Sequence, residues 1–189
     1  MRPRLTALML SLSLAISATL SAATLAGVTL SDSVTVNGQT LVLNGLSLRK
    51  KLFIKVYVGG LYLAAKQSNA ATVMSTDGAR RMEMHFLFGV SKSQMADAWE
   101  EGLTNNTPNA SAEVKTNFKT LESWMDAIPS GNAMILTYMP GTGTTVEING
   151  KAVGTLTGKA TSDAILATWI GSNPAPGAEF KKAVLGQQK

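Results

Sequence analysis

The sequence predicts an α+β fold, in which helices pack on one antiparallel sheet. Three observations predict this class: strand-like runs fill residues 28–65, helical periodicity follows over 91–128, and short strand-like runs return over 133–157. Hydrophobic residues make up 45% of the 189 residues and charged residues 15%, a composition typical of a folded domain. This length suits one domain with a sizeable core.

The first residues have the pattern of a secretory signal peptide. Arg2 and Arg4 precede an apolar run rich in Ser and Ala over 5–20, and small residues follow it. A charged start, a short apolar middle and a small-residue exit predict a signal peptide over 1–23, with cleavage within 20–26. The alternative is a single membrane anchor, which a run this rich in Ser disfavours. We therefore expect an exported, periplasmic protein with no stable membrane span after cleavage.

The remaining chain, residues 24–189, is predicted to form a single domain. The sequence contains no Cys, which excludes disulfides, thiolate metal sites and a lipid anchor on Cys. Removal of Arg2 and Arg4 with the signal peptide lowers the formal net charge from +5 to +3, which is too small to indicate nucleic-acid binding. The domain must therefore be held together by its own core.

The strand-like half of the domain contains several turn signals. Asn37-Gly38 lies between alternating runs and predicts a hairpin. Asn44-Gly45 offers a second turn. Residues 52–58 and 60–65 are both strand-like, and Gly59-Gly60 between them is interpreted as a tight turn or as a bulge in one long strand.

The helical half begins after an alternating run over 81–88. Ser91 is a candidate N-cap for a helix in which Met95, Trp99 and Leu103 recur at helical spacing. The other predicted elements are a helix over 111–128, a three-strand meander over 133–157, and helices over 162–170 and 178–185.

Most motifs that could carry chemistry have a simpler structural interpretation. His85 is the only His, so a multi-His metal site is excluded. Glu100 and Glu101 are neighbours on a helix and point to different sides, as on a solvated face. Gly141-Thr142-Gly143 leads into a strand and predicts a hairpin turn instead of a phosphate loop. The sequence contains no Gly-x-Ser-x-Gly motif, and we expect no metal and no cofactor.

The stretch RKKLFIKVYVGGLYL, residues 49–63, combines cations with a strand-like apolar run. Strand alternation places Ile54, Val56 and Val58 on the same face as Leu52. Phe53, Lys55 and Tyr57 then lie on the opposite face. Lys50, Lys51 and Lys55 fit a solvated, cationic edge that discourages sheet-to-sheet pairing.

Arg49 and Tyr57 have a second interpretation. The Arg guanidinium is a permanent cation suited to a carboxylate, and a buried Tyr hydroxyl needs a partner. Together they suit the acidic head of an apolar ligand. On the residues alone, Arg49 fits this site and the cationic edge equally well.

Three stretches are similar to the chalcone isomerase-like superfamily, and more closely to its exported bacterial branch. They are Asn44-Gly45 through Arg49 followed by LFIKVYVGGLYL, VSKSQMADAWEEGL at 90–103, and AILATWIGSNPAP with FKKAVLG within 164–186. The resemblance covers residues 28–186. It implies an open-faced β-sandwich, in which an antiparallel sheet carries helices on one face with a ligand cleft between them.

The resemblance also assigns expected roles to individual residues. Arg49 matches the family arginine, and Tyr57 stands where the isomerases have a catalytic Thr, as in the fatty-acid-binding members. Thr168 matches a Ser/Thr position that lines the cleft. The isomerases also carry a Tyr and an Asn near the start of the first helix, and residues 90–101 contain neither.

The sequence therefore supports three functions. The first is a non-catalytic, exported protein that binds an apolar carboxylic acid such as a fatty acid, with Arg49, Tyr57 and Thr168 as ligand-binding residues. The second is an intramolecular lyase or isomerase acting on a chalcone-like or other α,β-unsaturated carbonyl compound. The third is a structural or partner-binding envelope protein. The expected partner is a small apolar or amphipathic ligand, and the sequence leaves the oligomeric state open.

Overall fold

A computed structural model describes residues 22–187. Its main sheet has seven antiparallel strands in chain order, and a separate two-stranded hairpin lies beside it. The hairpin consists of β1 (Ala22–Leu25) and β2 (Val28–Ser31). The sheet consists of β3 (Ser33–Val36), β4 (Gln39–Lys51), β5 (Ile54–Leu63), β6 (Arg80–Phe86), β7 (Ala133–Met139), β8 (Gly143–Ile148) and β9 (Lys151–Leu156).

Five helices complete the described fold. They are α1 (Ala70–Ser75), α2 (Lys92–Asn106), α3 (Ala112–Trp124), α4 (Lys159–Ile170) and α5 (Ala178–Val184). Every residue of α4 from Ala164 to Ile170 is buried, so this helix lies at the centre of the helical layer. The α+β prediction is confirmed.

The sheet has an apolar cluster on each face. The larger cluster joins the sheet to the helices and includes Leu61 and Leu63 of β5. The intervening Tyr62 belongs to a smaller cluster, which Leu30 of β2 helps to cover. Successive residues of a strand point to opposite faces, so β5 is buried on both sides. The β1–β2 hairpin thus closes the face that the helices leave open.

The predicted turn at Asn44-Gly45 is wrong, because both residues lie inside β4. The pairing passes from Leu43–Tyr62 to Gly45–Leu61, which leaves Asn44 as the extra residue of a bulge. The Asn44 amide donates to the Val184 carbonyl oxygen at 2.8 Å. A Cβ at Gly45 would collide with the backbone of α5. This dipeptide therefore docks α5 onto the sheet.

Of the two interpretations of Gly59-Gly60, the tight turn is wrong and the single long strand is correct, although β5 runs through the pair without the expected bulge. A Cβ at Gly59 would meet the Phe180 ring at 2.6 Å. The glycines therefore make room for packing on the strand. The chain turns earlier, at Leu52-Phe53, which the apolar pattern had assigned to a strand.

Several local predictions are confirmed. Asn37 and Gly38 both have positive φ and form the turn between β3 and β4. Ser91 caps α2 in a capping box with Gln94. The second predicted helix is shorter than expected, because α3 ends at Trp124 and Ile128 pairs with the backbone of Val90.

The signal-peptide prediction concerns residues that the structure scarcely covers. The predicted signal peptide falls almost entirely on residues 1–21, which lie outside the described residues. Within residues 22–187, no helix has the length and apolar character needed to cross a membrane.

Candidate ligand-binding site

A pocket of about 310 Å³ lies between the sheet and two of the helices. The sheet supplies Met84 and Phe86 of β6 and the first residues of β5, while α2 and α4 supply Trp99 and Trp169. These side chains make the pocket wall largely apolar, as in most small-molecule sites. Its volume lies within the range of roughly 300–1,000 Å³ typical of ligand pockets.

Arg49 and Tyr57 face each other across the β4–β5 pair and both line this pocket. A bulge follows immediately, because Val56 of β5 has no partner between Tyr57 and Lys55. The extra residue interrupts the alternation of the strand. Ile54 and Val56 therefore line the same pocket as Tyr57, and the prediction that they occupy the opposite face is wrong.

The Tyr57 side chain is held from three directions. Its ring centroid lies 5.5 Å from that of Phe86 and 5.9 Å from that of Phe180. Its hydroxyl oxygen accepts a hydrogen bond from the Trp169 indole Nε1 at 3.1 Å. The hydroxyl proton has no acceptor among residues 22–187, and it is free to donate to a ligand.

Burial raises the pKa of Tyr57 to about 12, although the Trp169 hydrogen bond and the Arg49 charge both act to lower it. Removing a phenolate from water is costly, so the neutral form dominates at physiological pH. Tyr57 is therefore a hydrogen-bond donor in this pocket and not an anion.

The Arg49 guanidinium has no ion pair or hydrogen bond to another side chain in the described part of the protein. The Arg and Lys side chains that do form ion pairs there are Arg80, Arg81, Lys159 and Lys182. Arg49 is half-buried and borders an apolar space, so its five N–H donors remain available to an anion.

Thr168 of α4 also lines the pocket and is 6% exposed. Its hydroxyl has no hydrogen-bond partner within residues 22–187. The side chain packs against Gly102 of α2, where an added Cβ would lie 2.6 Å from Thr168 Oγ1. The structure thus brings all three predicted ligand-binding residues to one pocket.

Sequence reasoning missed two features of this pocket. The first is the hydrogen bond from Trp169 to Tyr57, which no local pattern could predict because the two residues lie 112 positions apart in the chain. Asp97 and Glu101 also line the pocket from the exposed side of α2, although Glu101 was interpreted as part of a solvated face. The pocket therefore has cations on its β4 wall and acids on its α2 wall.

His85 belongs to a small polar group on β6. It lies outside the pocket, and its Nε2 is 3.2 Å from Glu83 Oε2. Glu83 also accepts from Arg81 Nε at 2.7 Å. No group of three or more His, Asp or Glu residues in the described part of the chain could hold a metal ion.

An antiparallel sheet, a helical layer and an apolar pocket between them define an α+β protein with a small-molecule cleft. The chain belongs to the chalcone isomerase-like family, whose model matches residues 22–186. The crystal structure of a fatty-acid-binding protein from Arabidopsis thaliana is similar to this chain, with a TM-score of 0.67. Sequence identity is 17%, and the match covers 87% of this chain and 96% of that one.

At this identity, the structural likeness shows a shared fold and does not transfer a ligand. Comparison with curated proteins gives no match. The family membership and the open-faced sandwich predicted from the sequence are both confirmed.

Proposed function

We propose that this protein is a non-catalytic binder of an apolar carboxylic acid, such as a fatty acid, and that it acts in the periplasm after export. One observation carries the binding proposal: an unpaired guanidinium and an unused phenol O–H lie side by side at the edge of an apolar pocket. Export is supported by the signal-like sequence of residues 1–23.

The polar groups match a carboxylate in charge and in hydrogen-bonding capacity. Arg49 supplies a charged, bidentate donor and Tyr57 supplies a neutral one. An ionised carboxylate only accepts hydrogen bonds. Arg49 and Tyr57 both have donor groups in the pocket that no other described residue uses. The hydrocarbon chain would then contact the ring faces and Met side chains deeper in the pocket, where burial of apolar surface stabilises binding.

The α2 wall disfavours an isomerase. Its pocket-lining residues are Gln94, Met95, Asp97, Ala98, Trp99 and Glu101, which include neither a Tyr nor an Asn. The resemblance expects an isomerase to carry both residues near the start of this helix, so the groups that would orient water and substrate are missing from the wall. Stereoselective turnover of naringenin chalcone above its spontaneous rate would replace the binding proposal with the isomerase.

The open pocket disfavours the purely structural alternative. A cleft filled by its own side chains would leave no cavity beside Arg49, whereas a volume of about 310 Å³ remains there.

The test compares palmitate with hexadecanol, which shares the chain and lacks the charge. We expect Arg49→Ala to weaken palmitate binding about tenfold or more, because hydrogen bonds to charged groups contribute roughly 1.5–3 kcal/mol. Hexadecanol binding should change little. Lys50→Ala is the matched control, since it removes a neighbouring cation that does not line the pocket. Fluorescence or calorimetric titration measures both affinities.

Two results would overturn the proposal. The first is a wild-type protein that binds neither palmitate nor shorter fatty acids. The second is an Arg49→Ala variant that loses palmitate and hexadecanol equally, because that result would assign Arg49 to the shape of the pocket and not to an anion.

A further inference from the structure

The large apolar side chains exposed on the described surface lie together at one end of the molecule. They are Leu52, Phe53, Ile54 and Phe88. Leu52 is 86% exposed and Phe53 is 89% exposed, at the tip of the β4–β5 hairpin. Phe88 is close by, because its backbone N–H donates to the Val56 carbonyl oxygen at 3.2 Å. Concentrated exposed apolar surface of this kind marks an interaction site.

The residues of the turn indicate that these exposed side chains have a role other than stabilising the fold. Two other hairpin turns of the protein use Asn-Gly, at Asn37-Gly38 and Asn149-Gly150, with positive φ at both residues. The β4–β5 turn instead places Leu52 at a φ of 55°, where a large side chain is disfavoured. If this turn had only to reverse the chain, Asn or Gly at position 52 would be more favourable than Leu.

Cations surround the apolar tip. Arg49, Lys50, Lys51 and Lys55 lie within seven residues of chain that contain no acid. The acids that line the adjoining pocket, Asp97 and Glu101, belong to α2 on its other wall. An apolar tip within a cationic collar complements an anionic bilayer, in which acyl chains lie beneath negatively charged head groups.

We propose that the β4–β5 hairpin docks onto anionic phospholipid membranes, with Leu52 and Phe53 inserted among the lipids and the lysines against the head groups. Ile54 and Phe88 belong both to the exposed patch and to the pocket wall. Docking therefore brings the pocket mouth to the membrane surface. An apolar ligand could then pass between bilayer and pocket without crossing water, and this last step alone rests on the proposed function.

The docking test uses vesicle flotation with the chain that begins at Ala22. This form retains the 22–186 family match and removes the apolar run at 5–20, which would bind lipid by itself. Circular dichroism and a cooperative thermal transition check that it folds. We expect binding to vesicles of phosphatidylcholine with 30% phosphatidylglycerol, little binding to pure phosphatidylcholine, and weaker binding at high salt.

Two double variants separate the apolar and charged contributions. Leu52→Ser/Phe53→Ser should lower vesicle affinity at least tenfold, and Lys50→Glu/Lys55→Glu should remove the preference for phosphatidylglycerol. None of these four residues lines the pocket, so palmitate affinity in solution should be unchanged. Lys115→Glu/Lys119→Glu on the exposed side of α3 is the charge-matched control and should bind vesicles almost as the wild type does.

Docking is refuted if the wild type does not float with anionic vesicles, or if the Leu52→Ser/Phe53→Ser variant floats equally well. Self-association of the wild type that this variant abolishes, without vesicle binding, would assign the patch to a second copy of the chain and would also refute docking. Palmitate binding in solution remains measurable in either case, so failure of docking is distinguishable from failure of the proposed function.

Discussion

Two buried Thr residues on one helix show how the pocket differs from the core. Thr161 and Thr168 both belong to α4 and are 1% and 6% exposed. Thr161 Oγ1 accepts a hydrogen bond from Asn117 Nδ2 at 2.7 Å, whereas the Thr168 hydroxyl has no partner in the described structure. A buried hydroxyl without a partner lowers stability. Thr168 is thus placed as an unmatched polar group in a pocket that offers room for a ligand.

Thr168→Val should leave the free energy of unfolding unchanged or raise it by up to about 1 kcal/mol, because the isostere removes an unpaired hydroxyl. Thr161→Val is the matched control and should lower it by about 1–3 kcal/mol, since the Asn117 amide loses an acceptor. Urea unfolding of the two variants measures the difference. A larger loss for Thr168→Val than for Thr161→Val would show that the Thr168 hydroxyl has a stabilising partner.

At the scale of elements, the contact between α2 and α4 depends on a residue with no side chain. An added Cβ at Gly102 would lie 2.6 Å from Thr168 Oγ1 and 2.9 Å from its Cγ2. Both helices also line the pocket. Gly102 therefore sets how closely the two helices approach at this contact.

Gly102→Ala should lower the free energy of unfolding by about 1–3 kcal/mol through overpacking. Helix propensity acts in the opposite direction, because Ala in a helix interior is favoured over Gly by about 1 kcal/mol. In a Thr168→Ala background, which removes the two colliding atoms, Gly102→Ala should instead be neutral or stabilising. Denaturant unfolding of the four proteins in this double-mutant cycle measures the coupling. Equal effects in both backgrounds would contradict the packing argument.

The β4–β5 hairpin shows how one extra residue organises a site. The bulge at Val56 keeps Arg49 opposite Tyr57 and shifts the register beyond them. It also turns Ile54 toward the pocket, so the site and the exposed tip share one hairpin. The Arg49 binding test and the vesicle test thus examine two ends of the same element.

At the scale of the whole molecule, the sheet face opposite the helices carries a charged group of its own. Glu83, whose side chain is 9% exposed, bonds both Arg81 and His85. Burial acts to raise the pKa of Glu83, but these two partners outweigh it and hold the pKa below its ordinary value of 4.5. The carboxylate is therefore better stabilised in the folded than in the unfolded chain.

This shift predicts a pH dependence with a definite sign. A lowered folded-state pKa contributes stability that is fully present above about pH 4.5 and is lost as the pH falls through the folded value. We expect the wild type to lose stability on acidification more steeply than Glu83→Gln, which cannot titrate there. Urea unfolding at several pH values between 7 and 3 measures both slopes. Identical slopes would show that Glu83 does not contribute.

The fold class, most of the elements and three residues that meet in one pocket were all predictable from the amino-acid sequence. These features depend on local periodicity, on turn and cap chemistry at Asn37-Gly38 and Ser91, and on stretches that resemble a family. The elements are encoded in residues close together in the chain, so local patterns alone could predict them. The three site residues are distant in the chain, and the family resemblance is what singles them out together.

The assembly of the site depends on contacts that form only when the chain folds. The Trp169–Tyr57 hydrogen bond, the contact of Gly102 with Thr168 and the place of Gly45 against α5 all join residues distant in the chain. The bulge at Val56 likewise appears in the pairing of two strands and not in either strand alone. Bulges and interhelical contacts are settled by packing between elements, which local patterns do not specify. For the same reason, the apolar run at Leu52-Phe53 predicted a buried strand, and only the turn revealed it as an exposed tip.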